Sequence, residues 1–251
     1  MALEKGIVVG GQLFPVCHPL TREALSVVTW RGGSGPRAPE FRAGDGYNKP
    51  RRSKIDAAVV HWTGGEAEPI TMAETLRKRK LGVEWAIGGH GLIHQFCDPA
   101  LVDTADAGVL NARSVGIEVV CYGYSGGWFW DPVRAIKVPR IPPKGRDRGT
   151  YLDELHGRTV RHAMFREAQV SSLLGLCDAI HRALGVPRDV PPTDVVLPDA
   201  LLRGSEAFKG FVGHYMVTAR KRDPGRRSMD DLRGHFSITM PLPLLGPRGV
   251  V

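Results

Sequence analysis

A short apolar run in the first third of the chain limits the fold more than any other feature of the sequence. Residues 55–60 read IDAAVV, with one aspartate among five apolar side chains, and a Gly64-Gly65 pair follows. A run this short and this apolar is typical of a strand that is buried on both faces. His61 stands at the carboxyl end of the run. The sequence therefore predicts a core strand that ends in a polar side chain.

Four further segments predict the rest of the core. A helix is expected from Thr71, whose side chain would form a capping box with Glu74, to about Lys80. The stretch GVEWAIGGHGLIHQFCD predicts a hairpin around GGHG, and RSVGIEVVCYG predicts another strand. The segment FREAQVSSLLGLCDAIHRALGVP predicts the clearest helix, which ends at Gly185. Strands mixed with helices predict an α/β (α+β) domain, with a central mixed β-sheet flanked by helices.

Composition along the chain predicts its organisation. Residues 1–53 form an N-terminal extension and linker, with a short apolar patch at 24–30 and a Gly/Pro/Arg-rich segment after it. Residues 54–236 form the main domain. Within it, residues 122–164 are an irregular insert rich in Trp, Tyr, Pro and Arg. Residues 237–251 are expected to be an extended tail.

Charge and apolar content narrow the classes of function. The 251 residues carry a net charge of +8, so an anionic partner is favoured, either nucleic acid or a bacterial wall, unless the charge serves only solubility. No apolar run reaches the ~18 residues of a membrane span. The N-terminus is a poor secretory signal, so we expect synthesis in the cytoplasm. The four cysteines are far apart and are expected to be reduced and mostly buried.

Two further features mark a candidate site. Glu118 interrupts an apolar strand, where a surface role would be out of place. His214 precedes the sequence KRDPG, in which Lys221 and Asp223 are followed by a Pro-Gly turn. An ordinary surface loop does not require this order of residues, and the order suggests a metal site.

Five segments together carry a resemblance to a known family. They are VVHWTGG, GGHGLIHQF, AGVLNARSVGIEVV, FREAQVSSLLGL and GHYMVTARKRDPG. In order and rough spacing, the chain from about 54 to 236 resembles the type 2 N-acetylmuramoyl-L-alanine amidases. These share their fold with peptidoglycan recognition proteins and phage amidase endolysins. Residues 1 to about 50 and the insert lie outside the resemblance.

The resemblance implies one zinc ion per chain, held by His61, His214 and Asp223. Two imidazoles and a carboxylate suit Zn²⁺, and three protein ligands leave a fourth position for water. It also implies that Glu118 is the general acid/base and that Lys221 stabilises the oxyanion. The open alternatives are a structural ion pair between Glu118 and an arginine, and a Lys221 that is only part of the basic run.

Substrate contacts are expected from residues around the zinc. By the resemblance, Asn111 lies near the substrate groove, and we expect Trp62 to contact substrate as well. Family members often have a histidine where this chain has Asp106, and that position usually borders the groove rather than the metal. In the insert, Trp128 and Trp130 are expected either to stack on sugar rings or to pin a long loop onto the domain.

The function that the resemblance implies is zinc-dependent hydrolysis of the amide between N-acetylmuramic acid and L-alanine in peptidoglycan. The alternative is a recognition module on the same fold that binds peptidoglycan without cutting it. A nucleic-acid binder is the third class, but the sequence has no recognisable motif for it. The expected partners are thus peptidoglycan or muropeptides, with no nucleic acid. The oligomeric state stays open, and the wall would be reached after lysis or through a secretion system.

Overall fold

The structure is a computed structural model that describes residues 3–31, 38–65, 67–121, 124–125, 128–131, 136–139, 149–203 and 206–238. For residues 124–125, 128–131, 136–139 and 238 it describes the backbone alone. Its strands are β1 (Gly6–Val9), β2 (Gln12–Pro15), β3 (Val27–Thr29), β4 (Lys49–Pro50), β5 (Ala57–Trp62), β6 (Trp85–Ile87), β7 (Ile93–Gln95), β8 (Val102–Asp103), β9 (Ser114–Val119), β10 (Tyr124–Ser125), β11 (Trp128–Asp131), β12 (Ile136–Pro139), β13 (Thr150–Leu155), β14 (Arg158–Ala163) and β15 (Gly210–Gly213). Its helices are α1 (Pro69–Lys78), α2 (Glu167–Leu184), α3 (Asp199–Leu202), α4 (His214–Val217) and α5 (Arg226–Ile238), with a 3₁₀ turn at Gly108–Arg113.

Six strands form the central sheet, in the order β15-β5-β9-β6-β7-β3. The β6–β7 pair is antiparallel and the other four pairs are parallel, so the sheet is mixed, as predicted. The predicted core strand is β5, and all six of its side chains are buried. Because β15, β5, β9 and β6 run in the same direction, their carboxyl ends lie at one edge of the sheet.

Helices cover both faces of this sheet. On β6, Trp85 and Ile87 belong to the apolar cluster that includes α2 and α5, whereas Ala86 between them belongs to the cluster that includes α1. Alternate side chains of a strand point to opposite faces, so α1 lies on one side and α2 with α5 on the other. The α/β (α+β) prediction, with helices flanking a mixed sheet, is confirmed.

The helix predictions are right about the elements, and one of them is wrong about a terminus. Helix α2 ends at Gly185, which has a left-handed φ of 72°, as predicted. The capping box from Thr71 to Glu74 is wrong, because α1 begins two residues earlier, at Pro69, and no side chain caps it. The fixed φ of proline favours the first position of a helix, and Thr71 therefore lies inside the first turn.

The N-terminal segment contributes to the sheet. Strand β3, from the apolar patch at 24–30, pairs in parallel with β7 and forms one edge of the sheet. The division of the chain into an extension, a domain and a tail stays a prediction; α5 continues to Ile238, and residues 239–251 lie outside the described part. No helix in the described residues is long and apolar enough to cross a membrane.

Candidate metal centre

Two neighbouring strands bring the candidate histidines together. Strands β15 and β5 are parallel, with Gly213 opposite Val60 in the register. His61 follows Val60 on β5, and His214 follows Gly213 as the first residue of α4. The two histidines therefore occupy equivalent positions at the carboxyl edge of the sheet, where open α/β sheets commonly bind ligands.

Asp223, from the loop between α4 and α5, completes the cluster. Its Oδ2 lies 3.2 Å from Nδ1 of His61 and 3.1 Å from Nδ1 of His214. All three side chains are buried, and their ligand atoms lie within 4.8 Å of one another. In the part of the chain that the structure describes, this is the one cluster of histidine, cysteine and acidic side chains with such geometry. The donor set and its spacing fit a zinc ion.

The electrostatics of the cluster favour a positive charge at its centre. Burial alone would raise the pKa of Asp223, but hydrogen bonds with His214 and His61 hold it well below its usual range. Burial would likewise lower the pKa of His61, but hydrogen bonds with Asp106 and Asp223 raise it to about 10. His214 takes the opposite shift, because burial and the charge on His61 lower its pKa.

Glu118 lies beside this cluster on the adjacent strand. It stands opposite His61 in the β5–β9 register, so the two side chains are neighbours on one face of the sheet. Burial raises the pKa of Glu118 to about 7. Its Oε2 is buried and has no hydrogen-bond partner among the described residues. No arginine of the described residues pairs with it, so the structure gives no support to a structural ion pair.

A cleft of about 490 Å³ opens over the cluster. Lys221 lines it and is exposed, and no acidic side chain among the described residues pairs with its ammonium group. The cleft is also lined by three arginines, Arg220, Arg222 and Arg79, the last of which follows the end of α1. The cleft therefore combines a buried anionic cluster with a cationic rim.

The expected substrate contacts fall in different places. Trp62 lines the cleft but is only 8% exposed, and its ring packs 4.8 Å from that of His162. Asn111 is not part of the lining; its Oδ1 accepts a hydrogen bond from the Ala107 amide at 2.7 Å, within the 3₁₀ turn. Trp128 and Trp130 are in β11, but their side chains lie outside the described part of the structure.

One residue lies nearer the candidate ligands than the sequence indicated. Asp106 was expected to border the groove rather than the metal site; it does line the cleft, but its Oδ2 also lies 3.3 Å from Nε2 of His61. Its departure from the family pattern was the only signal in the sequence. The two residues are 45 positions apart, and no spacing rule connects them.

A family model of N-acetylmuramoyl-L-alanine amidase, Amidase_2, matches residues 51–226, which are more than half of the chain. The chain therefore belongs to this family, and the resemblance seen in the sequence is confirmed. No curated protein matches the sequence.

Three solved structures illustrate the likeness. The endolysin amidase LysCS from Clostridium intestinale is similar over 85% of this chain and 96% of that one, at 13% identity and a TM-score of 0.46. The amidase AmiD from E. coli is similar over 71% of this chain and 58% of its own, at 18% identity and a TM-score of 0.41. The Drosophila peptidoglycan recognition protein PGRP-SD is similar over 80% of this chain and 89% of its own, at 16% identity and a TM-score of 0.40.

Proposed function

We propose that the protein is a zinc-dependent hydrolase that cleaves the amide between N-acetylmuramic acid and L-alanine in peptidoglycan or its soluble fragments. The observation that carries the proposal is the buried cluster of His61, His214 and Asp223 with Glu118 beside it, at the base of an open cleft. A recognition module has no need of a buried carboxyl next to a metal site. Membership of the amidase family supports the choice of bond.

In this proposal His61, His214 and Asp223 hold the zinc ion. When bound, Zn²⁺ supplies a Lewis acid that brings the pKa of a water molecule to about 7. Glu118 would accept a proton from the attacking water onto its carboxylate and pass it to the leaving nitrogen. In the metal-free protein, burial raises the pKa of Glu118 to about 7, and a buried carboxyl of this kind is suited to hold a proton as well as to release it.

Lys221 acts on the carbonyl oxygen in this scheme. Its side chain lines the same cleft as Asp223, and its ammonium group has no acidic partner in the described residues. A cation that is not neutralised by a neighbouring carboxylate is suited to stabilise negative charge that develops during attack. The arginines of the rim are suited to carboxylates of the stem peptide.

The products of digestion test the proposal. Incubation of the protein with purified sacculi, and separately with soluble muropeptides, is expected to expose the amino group of L-alanine without new reducing sugar ends. Amine labelling followed by mass spectrometry identifies the new amino terminus. His214→Ala should lose both zinc and product, whereas His90→Ala, which changes an exposed histidine, should keep both.

Three outcomes would contradict the proposal in different ways. New reducing ends would indicate a glycosidase, and an amino terminus other than alanine would indicate an endopeptidase. Binding to sacculi by a zinc-loaded protein, with no product from either substrate, would favour the recognition module. The comparison of the two substrates also shows which one the protein prefers. A preference for the polymer would fit a protein that reaches the wall after lysis or secretion, and a preference for soluble fragments would not.

A further inference from the structure

We infer that Asp106 is a positioning residue that holds the ring of His61 in the orientation needed for zinc binding. The inference rests on the proposed function, because it concerns the same metal site. Within this site it assigns a role to a residue at which the chain departs from the usual pattern of its family.

The two nitrogens of His61 face different carboxylates. Nδ1 lies 3.2 Å from Asp223 Oδ2, on the side of the candidate ligands, and Nε2 lies 3.3 Å from Asp106 Oδ2. A histidine that binds a metal through Nδ1 keeps its proton on Nε2, and that N–H can donate to Asp106. Both side chains are nearly buried, at 4% and 6% exposure. Carboxylate–histidine–metal arrangements of this kind fix the tautomer and orient the ring.

The strand beneath Asp106 is shaped to admit it. Gly116 on β9 faces the same side as Glu118, two residues along the strand. A Cβ at Gly116 would overlap the Asp106 carboxylate and would lie 2.8 Å from Cγ2 of Val83. The carboxylate can therefore reach His61 only because this strand position has no side chain.

The two residues before Asp106 are each anchored by a hydrogen bond. The hydroxyl of Thr104 donates to Oε2 of Glu84 at 2.8 Å, and the amide of Ala105 donates to Oδ1 of Asn48 at 3.1 Å. The same Glu84 oxygen accepts the amide hydrogen of Gly116 at 2.7 Å. Glu84 thus connects the loop that carries Asp106 to the strand over which Asp106 lies.

Arg51 in turn binds Glu84 and so supports the link between the Asp106 loop and β9. Its Nη2 lies 3.2 Å from Oε1 of Glu84, and both side chains are almost fully buried. The same guanidinium donates to backbone carbonyls of Val102 and Ser114, on the segments that precede Asp106 and begin β9. Asp106 is therefore held by a packed polar network, as is needed for a residue that positions a metal ligand.

The first measurement is zinc affinity, by competition with a chelator. Asp106→Ala is expected to weaken zinc binding about 10- to 100-fold, the usual effect of losing such a partner. Asp106→Asn keeps an oxygen that can accept the Nε2 hydrogen, so it should recover part of the loss. Asp194→Asn is the matched control: Asp194 is an exposed aspartate with no hydrogen bond or ion pair to His61 or to the network around Asp106 among the described residues, and its variant should bind zinc as the wild type does.

The second measurement reports on the ring of His61 directly. In the cobalt(II)-loaded protein, the remaining ring N–H of each histidine ligand gives a shifted proton resonance. The Nε2 hydrogen of His61, bonded to Asp106, should exchange slowly with water in the wild type and rapidly in Asp106→Ala. A residue that only stabilised the fold would leave this exchange rate unchanged.

Two results would overturn the inference, and they are distinguishable. Wild-type zinc affinity and slow N–H exchange in a folded Asp106→Ala protein would remove Asp106 from the site and leave the proposed function intact. A wild-type protein that binds no zinc would overturn both proposals. If Asp106→Ala fails to fold, Asp106→Asn decides: zinc affinity and N–H exchange equal to those of Asp194→Asn would contradict the role.

Discussion

At the scale of one residue, the proposed role of Glu118 opposes the stability of the folded protein. Burial raises its pKa from 4.5 to about 7, so the folded protein holds a proton that the unfolded chain releases at lower pH. For an acid whose folded-state pKa is raised, stability is greatest below the unfolded-state pKa and falls as pH rises towards the folded-state pKa. In the metal-free protein, this loss of stability is expected between about pH 4.5 and pH 7.

Replacement of Glu118 by glutamine should separate the two effects. Glu118→Gln is expected to lower turnover by about 10²- to 10⁴-fold while zinc is retained, because the proton acceptor is lost. In metal-free protein, the free energy of unfolding of the variant minus that of the wild type should be up to about 3 kcal/mol larger at pH 8 than at pH 4.5. Urea denaturation at both pH values measures this. An equal difference at the two values would show that Glu118 titrates normally.

At the scale of elements, the β13–β14 hairpin holds the loop that carries Lys221 and Asp223. A ring nitrogen of His156 lies 3.1 Å from the carbonyl oxygen of Lys221. Oδ2 of Asp153 accepts the amide hydrogen of Arg226, the first residue of α5, at 2.8 Å. The hairpin belongs to the predicted insert at 122–164, and its described contacts favour a role in pinning that segment to the domain.

The hairpin also packs directly on the turn that follows Asp223. Gly225 has a φ of 87°, and a Cβ there would overlap the hydroxyl of Tyr151 and lie 2.8 Å from Nδ1 of His162. His162 in turn packs against Trp62, next to His61 on β5. The hairpin therefore contacts both the strand and the loop that supply candidate ligands.

Asp153→Ala should loosen this loop. The variant leaves the first amide of α5 without its acceptor, and we expect a loss of about 1–2 kcal/mol together with faster release of zinc to a chelator. Glu154→Ala is the control, because Glu154 is exposed and its side chain, among the described residues, bonds only to Thr159 within the same hairpin. Destabilised Asp153→Ala protein that released zinc at the wild-type rate would limit the role of the hairpin to supporting α5.

On the scale of the whole molecule, the N-terminal segment is joined to the main domain through buried polar contacts. The side chain of Gln95, on β7, accepts the amide hydrogen of Val8 at 2.8 Å and donates to its carbonyl at 2.7 Å. The Gln95 side chain thereby forms the two hydrogen bonds, to the Val8 amide and to the Val8 carbonyl, that a neighbouring strand would otherwise form. Asp98 accepts the amide hydrogens of Gly10 and Gly11 in the same way. The described segment, residues 3–31, is therefore part of the folded core.

Gln95→Leu tests whether the N-terminal segment and the main domain fold as one unit. The variant leaves two buried backbone groups of Val8 without partners, which is expected to cost about 2–4 kcal/mol. Zinc affinity of the folded variant should not change, since Gln95 is remote from the cluster. Lys5→Ala, which removes an exposed hydrogen bond to Ser26, should stay within about 0.5 kcal/mol of wild type. If urea denaturation showed an equally small change in stability for Gln95→Leu, the N-terminal segment would not depend on this contact to join the main domain.

The sequence by itself determined the elements whose signals are local. The apolar run ending at His61 predicts β5, and helical periodicity with Gly185 at its end predicts α2, because burial and backbone conformation act over a few neighbouring residues. The candidate ligands were found by their resemblance to a family. The first turn of α1 was misread because a Thr-x-x-Glu pattern also occurs inside a helix.

Only the tertiary structure decided which distant residues meet. Asp106 contacts His61 across 45 positions, and Asp223 contacts the same ring across 162. Strand β3 joins the sheet through parallel pairing with β7, and Gln95 reaches Val8 across 87 positions. Such contacts depend on how strands are ordered and which faces they present, and neighbouring residues in the chain carry no signal of that order.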